Sequence, residues 1–86
     1  MVATGLTRQQ ANMLHFISEY WVTHGFSPSV REMAKGLKSG TSFVYTLTEA
    51  LVDRGYITKI FNSPRTCRLT PEGVLWYQQF VRPKVA

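Results

Sequence analysis

One cysteine, Cys67, is the only sulfhydryl in this 86-residue chain. A lone thiol forms no internal disulfide and supplies no cysteine-based zinc site, so Cys67 is expected to be a small strand residue in a reducing compartment. Histidine is nearly as sparse. His15 and His24 are isolated, and neither is matched to a Cys, Asp or Glu set at metal-ligand spacing. No glycine-rich phosphate loop is present, and the five acids form no convincing catalytic pair. The sequence therefore predicts no catalytic residue, no metal and no cofactor, and the chain is not expected to be an enzyme. No apolar run approaches the about 20 residues that span a bilayer. The opening MVATGLTRQQ has no apolar core behind a basic flank, so neither membrane insertion nor export is expected. Repeats, low-complexity tracts and long linkers are also missing, and residues 1–86 read as one domain.

Acids are scarce where bases are dense. From Arg54 onward the chain carries Arg54, Lys59, Arg65, Arg68, Arg82 and Lys84 against Glu72 alone. Glu19, Glu32, Glu49 and Asp53 all lie earlier, and the formal net charge is +5. A basic half on a small domain points to a polyanionic partner, of which nucleic acid is the commonest. Charge alone decides little, since it also serves solubility.

The apolar spacing supplies an architecture. Thr7-Arg8-Gln9-Gln10 fits a capping box preceded by the staple residue Leu6, and Met13, Leu14, Ile17, Tyr20 and Trp21 recur at helical spacing. A first helix is predicted over 6–24, closed by Gly25. Ser29-Val30-Arg31-Glu32 is a second capping box, opening a short helix over 29–37 whose inner face is Val30, Met33, Ala34 and Leu37. Lys38-Ser39-Gly40 interrupts it. A third helix over 41–54 buries Val44, Leu47, Ala50 and Leu51, with Gly55 at its end. Two β-rich stretches, from Tyr56 to Phe61 and from Thr66 to Leu69, flank the turn chemistry of Asn62-Ser63-Pro64 and predict a hairpin over 56–69. Thr70 as cap and Pro71 in the first turn start a last helix over 70–82. The class is α+β, mostly helical.

A short helix, a tight polar turn and a longer helix, followed by a basic hairpin, is the layout of a winged helix-turn-helix. The first helix of the motif fixes the angle of the second, which enters a DNA major groove about 12 Å wide. Here the chain resembles a known family. Thr7-Arg8-Gln9-Gln10, Leu14-His15-Phe16-Ile17, Tyr20, Gly25 and above all Ser27-Pro28-Ser29-Val30-Arg31-Glu32-Met33-Ala34 are similar to the DNA-binding domain of LexA repressors. Ala50-Leu51, Arg54-Gly55-Tyr56-Ile57 and Arg68-Leu69-Thr70 continue the likeness, which covers about Leu6 to Thr70. The resemblance implies a cytoplasmic, double-stranded-DNA-binding regulator, most simply a dimeric repressor of bacterial or phage origin. Three departures qualify it. The segment between Ala34 and Val44 is one residue shorter than the family pattern. The exposed positions of the third helix are not those expected for the SOS operator, which implies another target. No self-cleaving peptidase domain follows, so no switching by self-cleavage is expected of this chain. The Leu69-Thr70-Pro71-Glu72-Gly73 start of the last helix instead resembles MarR-type winged-helix regulators.

Roles follow from these placements. Ser42, Phe43, Tyr45, Thr46 and Glu49 face away from the core of the third helix and are expected to read bases, Phe43 by meeting a thymine methyl. Arg8, Ser29, Arg31, Lys35, Lys38 and Thr41, with Lys59, Arg65 and Arg68 of the wing, are expected to hold phosphates. Arg65, beside the turn, is the expected minor-groove or phosphate clamp. On the last helix Val74, Trp76, Tyr77, Phe80 and Val81 cover more than one face, and the excess predicts a homodimer. Trp76 and Tyr77 could instead roof the first helix around Trp21. The rival function is a protein-interaction module, an anti-repressor or an adaptor for a repressor or polymerase subunit, favoured by the exposed aromatics.

Overall fold

A computed structural model describes residues 5–60 and 63–81. Its first helix, α1 (Arg8–His24), opens on a closed capping box. The Thr7 hydroxyl accepts from the Gln10 amide at 3.1 Å, while the Thr7 amide donates to Gln10 Oε1, also at 3.1 Å. At the other end Gly25 takes φ 79° and donates to Trp21 O. The second helix, α2 (Val30–Leu37), repeats the device with Ser29 and Glu32. It ends in paired return bonds, Ser39 N to Ala34 O at 2.9 Å and Lys38 N to Lys35 O at 3.3 Å. That motif requires a left-handed residue, and Lys38 supplies it at φ 55° where a glycine is usual. The third helix, α3 (Thr41–Asp53), ends in the same motif with Gly55 in the left-handed position.

The three helices close on Met13, Leu14 and Ile17 of α1, Met33 and Ala34 of α2, and Val44, Leu47 and Leu51 of α3. Burial of each large apolar side chain contributes about 2 kcal/mol before entropy is counted. Gly36 lets α2 lie against the Phe16 ring, which occupies the space that any Cβ at this position would need.

The wing is shorter than the sequence suggests. Among the described residues only β1 (Ile57–Thr58) and β2 (Arg68–Leu69) pair, antiparallel, with Ile57 opposite Leu69 and Thr58 opposite Arg68. Beyond them the Thr66 side chain replaces the ladder. Its hydroxyl accepts from Ile60 N at 3.0 Å and lies 3.2 Å from Ile60 O and 3.0 Å from Ser63 O. Ile60 is left exposed. Phe61 and Asn62, part of the expected strand and turn, lie outside the described residues.

The last helix, α4 (Pro71–Trp76), runs into a π-helical turn, Tyr77–Val81. The Thr70 hydroxyl accepts from Gly73 N at 3.1 Å and donates to Gly55 O, tying α4 to the end of α3. Arg82, at the end of the predicted helix, lies outside the described residues. Trp76 and Tyr77, expected to face a second subunit, are 6% and 7% exposed inside the domain's own core. The Tyr77 hydroxyl donates to Glu19 Oε2 of α1 at 2.7 Å, which holds the ring inward. Val74 and Phe80 of the same expected set are exposed. The Val81 side chain lies outside what is described.

Candidate nucleic-acid interface

Helix α3 is amphipathic in a way that separates packing from presentation. Val44, Leu47, Thr48 and Leu51 are buried, and Thr41, Ser42, Phe43, Tyr45, Thr46 and Glu49 are exposed. The residues expected to read bases therefore share one solvent-facing side. Thr46 is partly committed, since its hydroxyl donates to Ser42 O one turn back at 3.2 Å. Tyr45 is the most prominent apolar group on this side, half exposed at 50%. An open groove of about 850 Å³ separates α3 from the wing, lined by Val30, Met33, Tyr45, Lys59 and Thr66 among others.

The nine residues expected to hold phosphates divide sharply. Arg8, Arg31, Lys35, Lys38 and Arg68 are exposed, and among the described residues no salt bridge engages them. Thr41 is exposed at the first residue of α3. The Ser29 oxygen accepts from Glu32 N at 3.2 Å, which leaves its hydroxyl proton available to a phosphate. Arg31 lies in the first turn of α2, where free backbone N–H groups also favour an anion.

Arg65 and Lys59 bond back onto the protein, Arg65 while remaining exposed and Lys59 half-buried. Arg65 is no free clamp. Its guanidinium forms a bidentate pair with Glu32 at 2.9 and 3.0 Å, donates to Ser27 O at 3.1 Å and to the Tyr20 hydroxyl at 3.4 Å, and lies 5.2 Å from the Phe26 ring centroid. This pair holds the Glu32 carboxyl down to about 2 from its usual 4.5, with the Ser29 backbone N–H as the next cause. Arg65 itself is raised above its usual value, chiefly by Glu32. Its backbone sits at φ 55°, so the turn is shaped to aim the side chain back at α2. Lys59 donates to the buried Thr48 hydroxyl at 3.0 Å and lies 5.4 Å from the Tyr45 ring centroid.

Other contacts seat the wing without charge. Trp21 Nε1 donates to Cys67 O at 2.8 Å, and Cys67 N donates to the buried Ser27 hydroxyl at 3.1 Å. Burial pushes the Cys67 thiol above its usual value, which disfavours the reactive thiolate.

Sequence reasoning missed the intramolecular partners of both cations. For Lys59 a signal existed. Residues 57 and 59 share one face of a strand, and Ile57 is a core residue, so Lys59 had to point the same way. Arg65 carried no local signal, because its partner is 33 positions away in the chain.

Among the described residues no group of His, Cys, Asp and Glu is placed to hold a metal ion, and no helix is long and apolar enough to cross a membrane. Comparison with known proteins points in one direction. Residues 3–66 match the LexA DNA binding domain family. The chain is 39% identical over 70 residues to the LexA repressor of Limosilactobacillus fermentum, covering 79% of this chain and 33% of that protein. It is 37% identical over 71 residues to the LexA repressor of Thermosipho africanus, covering 80% and 36%. With that of Parafrankia sp. it shares 36% identity over 73 residues, covering 83% and 29%. The chain thus spans about a third of the length of these curated relatives.

Proposed function

Because the chain belongs to the LexA DNA-binding domain family, we propose that it is a sequence-specific, double-stranded-DNA-binding transcriptional repressor acting in the cytoplasm of a bacterial or phage-infected cell. The observation that carries this reading is the outer side of α3. Ser42, Phe43, Tyr45, Thr46 and Glu49 are presented together on a helix that α1 and α2 pack against from behind. Such a helix fits the major groove, where hydroxyls hydrogen-bond base edges and an aromatic meets a thymine methyl. Arg31, Lys35 and Lys38 on and just after α2, with Arg8 and Arg68, neutralise flanking phosphates and fix the docking angle. Bound at a promoter, the protein excludes polymerase, and no catalytic step is needed.

The functional unit is a homodimer on a two-fold operator. Val74 and Phe80 remain exposed on α4 and the turn after it, and Leu75 beside them is exposed as well. These side chains support a second copy, whereas Trp76 and Tyr77 do not contribute. Family membership does not favour the rival interaction module.

Selection from a random duplex pool at near-physiological salt tests the reading. An enriched inverted repeat, with half-sites about one helical turn apart, is expected. Recovery of no preferred sequence would refute it. A single unrepeated site would keep the DNA reading and remove the dimer.

A further inference from the structure

Resting on the reading of α3 as the base-reading helix, we propose that Lys59 is a specificity-positioning residue: it reaches from the wing to α3 and fixes the Tyr45 ring as a base-reading group, and it does not neutralise a phosphate.

Lys59 follows β1 on the face that Ile57 buries, so its side chain starts toward the protein interior. The aliphatic stem covers apolar surface while the ammonium group travels to the nearest polar partners. Those partners are two parts of one turn of α3. One N–H goes to Thr48 Oγ1 at 3.0 Å, and the charge lies 5.4 Å from the centre of the Tyr45 ring. Thr48 is buried, and its own hydroxyl donates to Tyr45 O at 3.1 Å. A chain of donors thus runs from ammonium to hydroxyl to carbonyl and ends on the residue whose ring the same ammonium attracts. One cation thus meets the Tyr45 ring directly and its carbonyl through the Thr48 hydroxyl.

The consequence is preorganisation. A half-exposed tyrosine on a helix still exchanges between its allowed rotamers and would lose that freedom on entering a groove, weakening the contact it makes. A ring already parked against an ammonium loses less. A cation over an aromatic face gains about 0.5–2 kcal/mol depending on desolvation, which corresponds to about a two- to thirtyfold bias toward one ring position. Lys59 therefore influences which base is read without touching DNA. A phosphate contact would demand the opposite geometry, with the ammonium directed outward like those of Lys35 and Lys38.

The test uses the full chain, its selected operator, and variants of that operator altered one base pair at a time, over a salt series. Lys59→Met keeps the stem and removes the charge. Its expected effect is a loss of about three- to tenfold in discrimination, confined to the base pairs whose preference Tyr45→Ala also flattens. The slope of log affinity against log salt should equal that of the parent. The double variant should discriminate no worse than Tyr45→Ala alone, because coupled residues are not additive. Lys59→Arg should restore the preference. Thr48→Val, which removes the bridging hydroxyl at nearly constant shape, gives a second reading should Lys59→Met fold poorly, with a smaller loss at the same base pairs.

A uniform loss on every sequence, with the slope shallower by about 0.9, would make Lys59 a phosphate contact and overturn the proposal. A lowered thermal midpoint with base preference intact would make it merely structural, and overturns it equally. Tyr45→Ala without effect on preference removes the link while leaving α3 as reader. A parent chain that enriches no operator brings down the DNA reading itself, and this is told apart by the absence of any preference to lose.

Discussion

On and just after α2, Arg31, Lys35 and Lys38 are exposed and free of salt bridges among the described residues. On the wing, Lys59 and Arg65 reach back onto the protein, and Arg68 alone stays outward. The two regions are about equally basic in sequence, so composition does not tell them apart. Their surroundings do. The wing leans over the start of α2, where Glu32 awaits a cation, and over Thr48 and Tyr45 of α3. On α2 the one acid, Glu32, is taken by Arg65, and among the described residues no salt bridge engages Arg31, Lys35 or Lys38. A basic hairpin can thus act as a brace between helices while the helix behind it keeps its cations outward.

The comparison breaks most visibly in salt dependence. Replacing Arg31, Lys35 and Lys38 together by Gln should flatten the slope of log affinity against log salt by about 2–3 and cost about a hundredfold in affinity near physiological salt. Replacing Lys59 and Arg65 together by Met should leave that slope unchanged. Electrophoretic mobility or fluorescence titration at four salt concentrations would suffice, and equal slopes for both sets would abolish the distinction between helix and wing.

Next comes the base of the wing, which charge does not hold. Gly73 of α4 packs directly under the Tyr56 carbonyl, and no Cβ fits there unless backbone moves. Gly73→Ala should destabilise the fold by about 1–3 kcal/mol, the usual cost of overpacking a close contact. Thermal or urea unfolding would register it, while the salt slope of the folded fraction should stay that of the parent. An unchanged midpoint would mean that α4 is free to shift and does not fix the wing.

Much of the scaffold is legible in the sequence because its signals are local. Thr7 with Gln10, Ser29 with Glu32, and Thr70 before Pro71 each announce a helix start within four residues, and the observed caps use those side chains. The outward set on α3 is legible for the same reason, since one face of apolar residues defines the other. What stays hidden depends on distant chain segments. Excess apolar character on α4 says that something must be covered. That the covering comes from α1, through Glu19 and the Tyr77 hydroxyl 58 positions away, is decided only by packing. The Arg65 partner is hidden likewise. The strands are shorter than β propensity predicts because one threonine hydroxyl, Thr66, takes the place of ladder partners.

Lys38 sharpens the comparison within a single residue. It stands at φ 55°, a left-handed position that disfavours any Cβ. Lys38→Gly should raise stability by about 1 kcal/mol and the melting midpoint by about 4–8 °C. The same change removes a free cation beside α3, so DNA affinity should fall and the salt slope flatten by about 0.9. Stability and binding then move in opposite directions. A stabilised variant with full affinity would show that Lys38 lies off the DNA path.

The smallest effect concerns the brace itself and is best read against pH. The folded Glu32 carboxyl titrates near 2, below its ordinary 4.5, because Arg65 and the Ser29 amide favour the charged form. A depressed carboxyl pKa adds stability that is fully present above the unfolded value and is lost as pH falls toward the folded one. Glu32→Gln should therefore lower the midpoint at neutral pH. The gap from the parent should begin to close below about pH 4.5 and be gone only once the pH has fallen through about 2. Both partners are solvent-accessible, so the difference will be modest and will shrink with added salt. Arg65→Met should abolish most of the pH dependence of that gap, since it removes the main reason the carboxyl prefers to be charged. If Glu32→Gln and the parent instead differ equally from pH 7 down to pH 2, the carboxylate charge contributes nothing to seating the wing. Cap geometry would then be the whole of Glu32's role, and Arg65 would regain its place among the cations available to DNA.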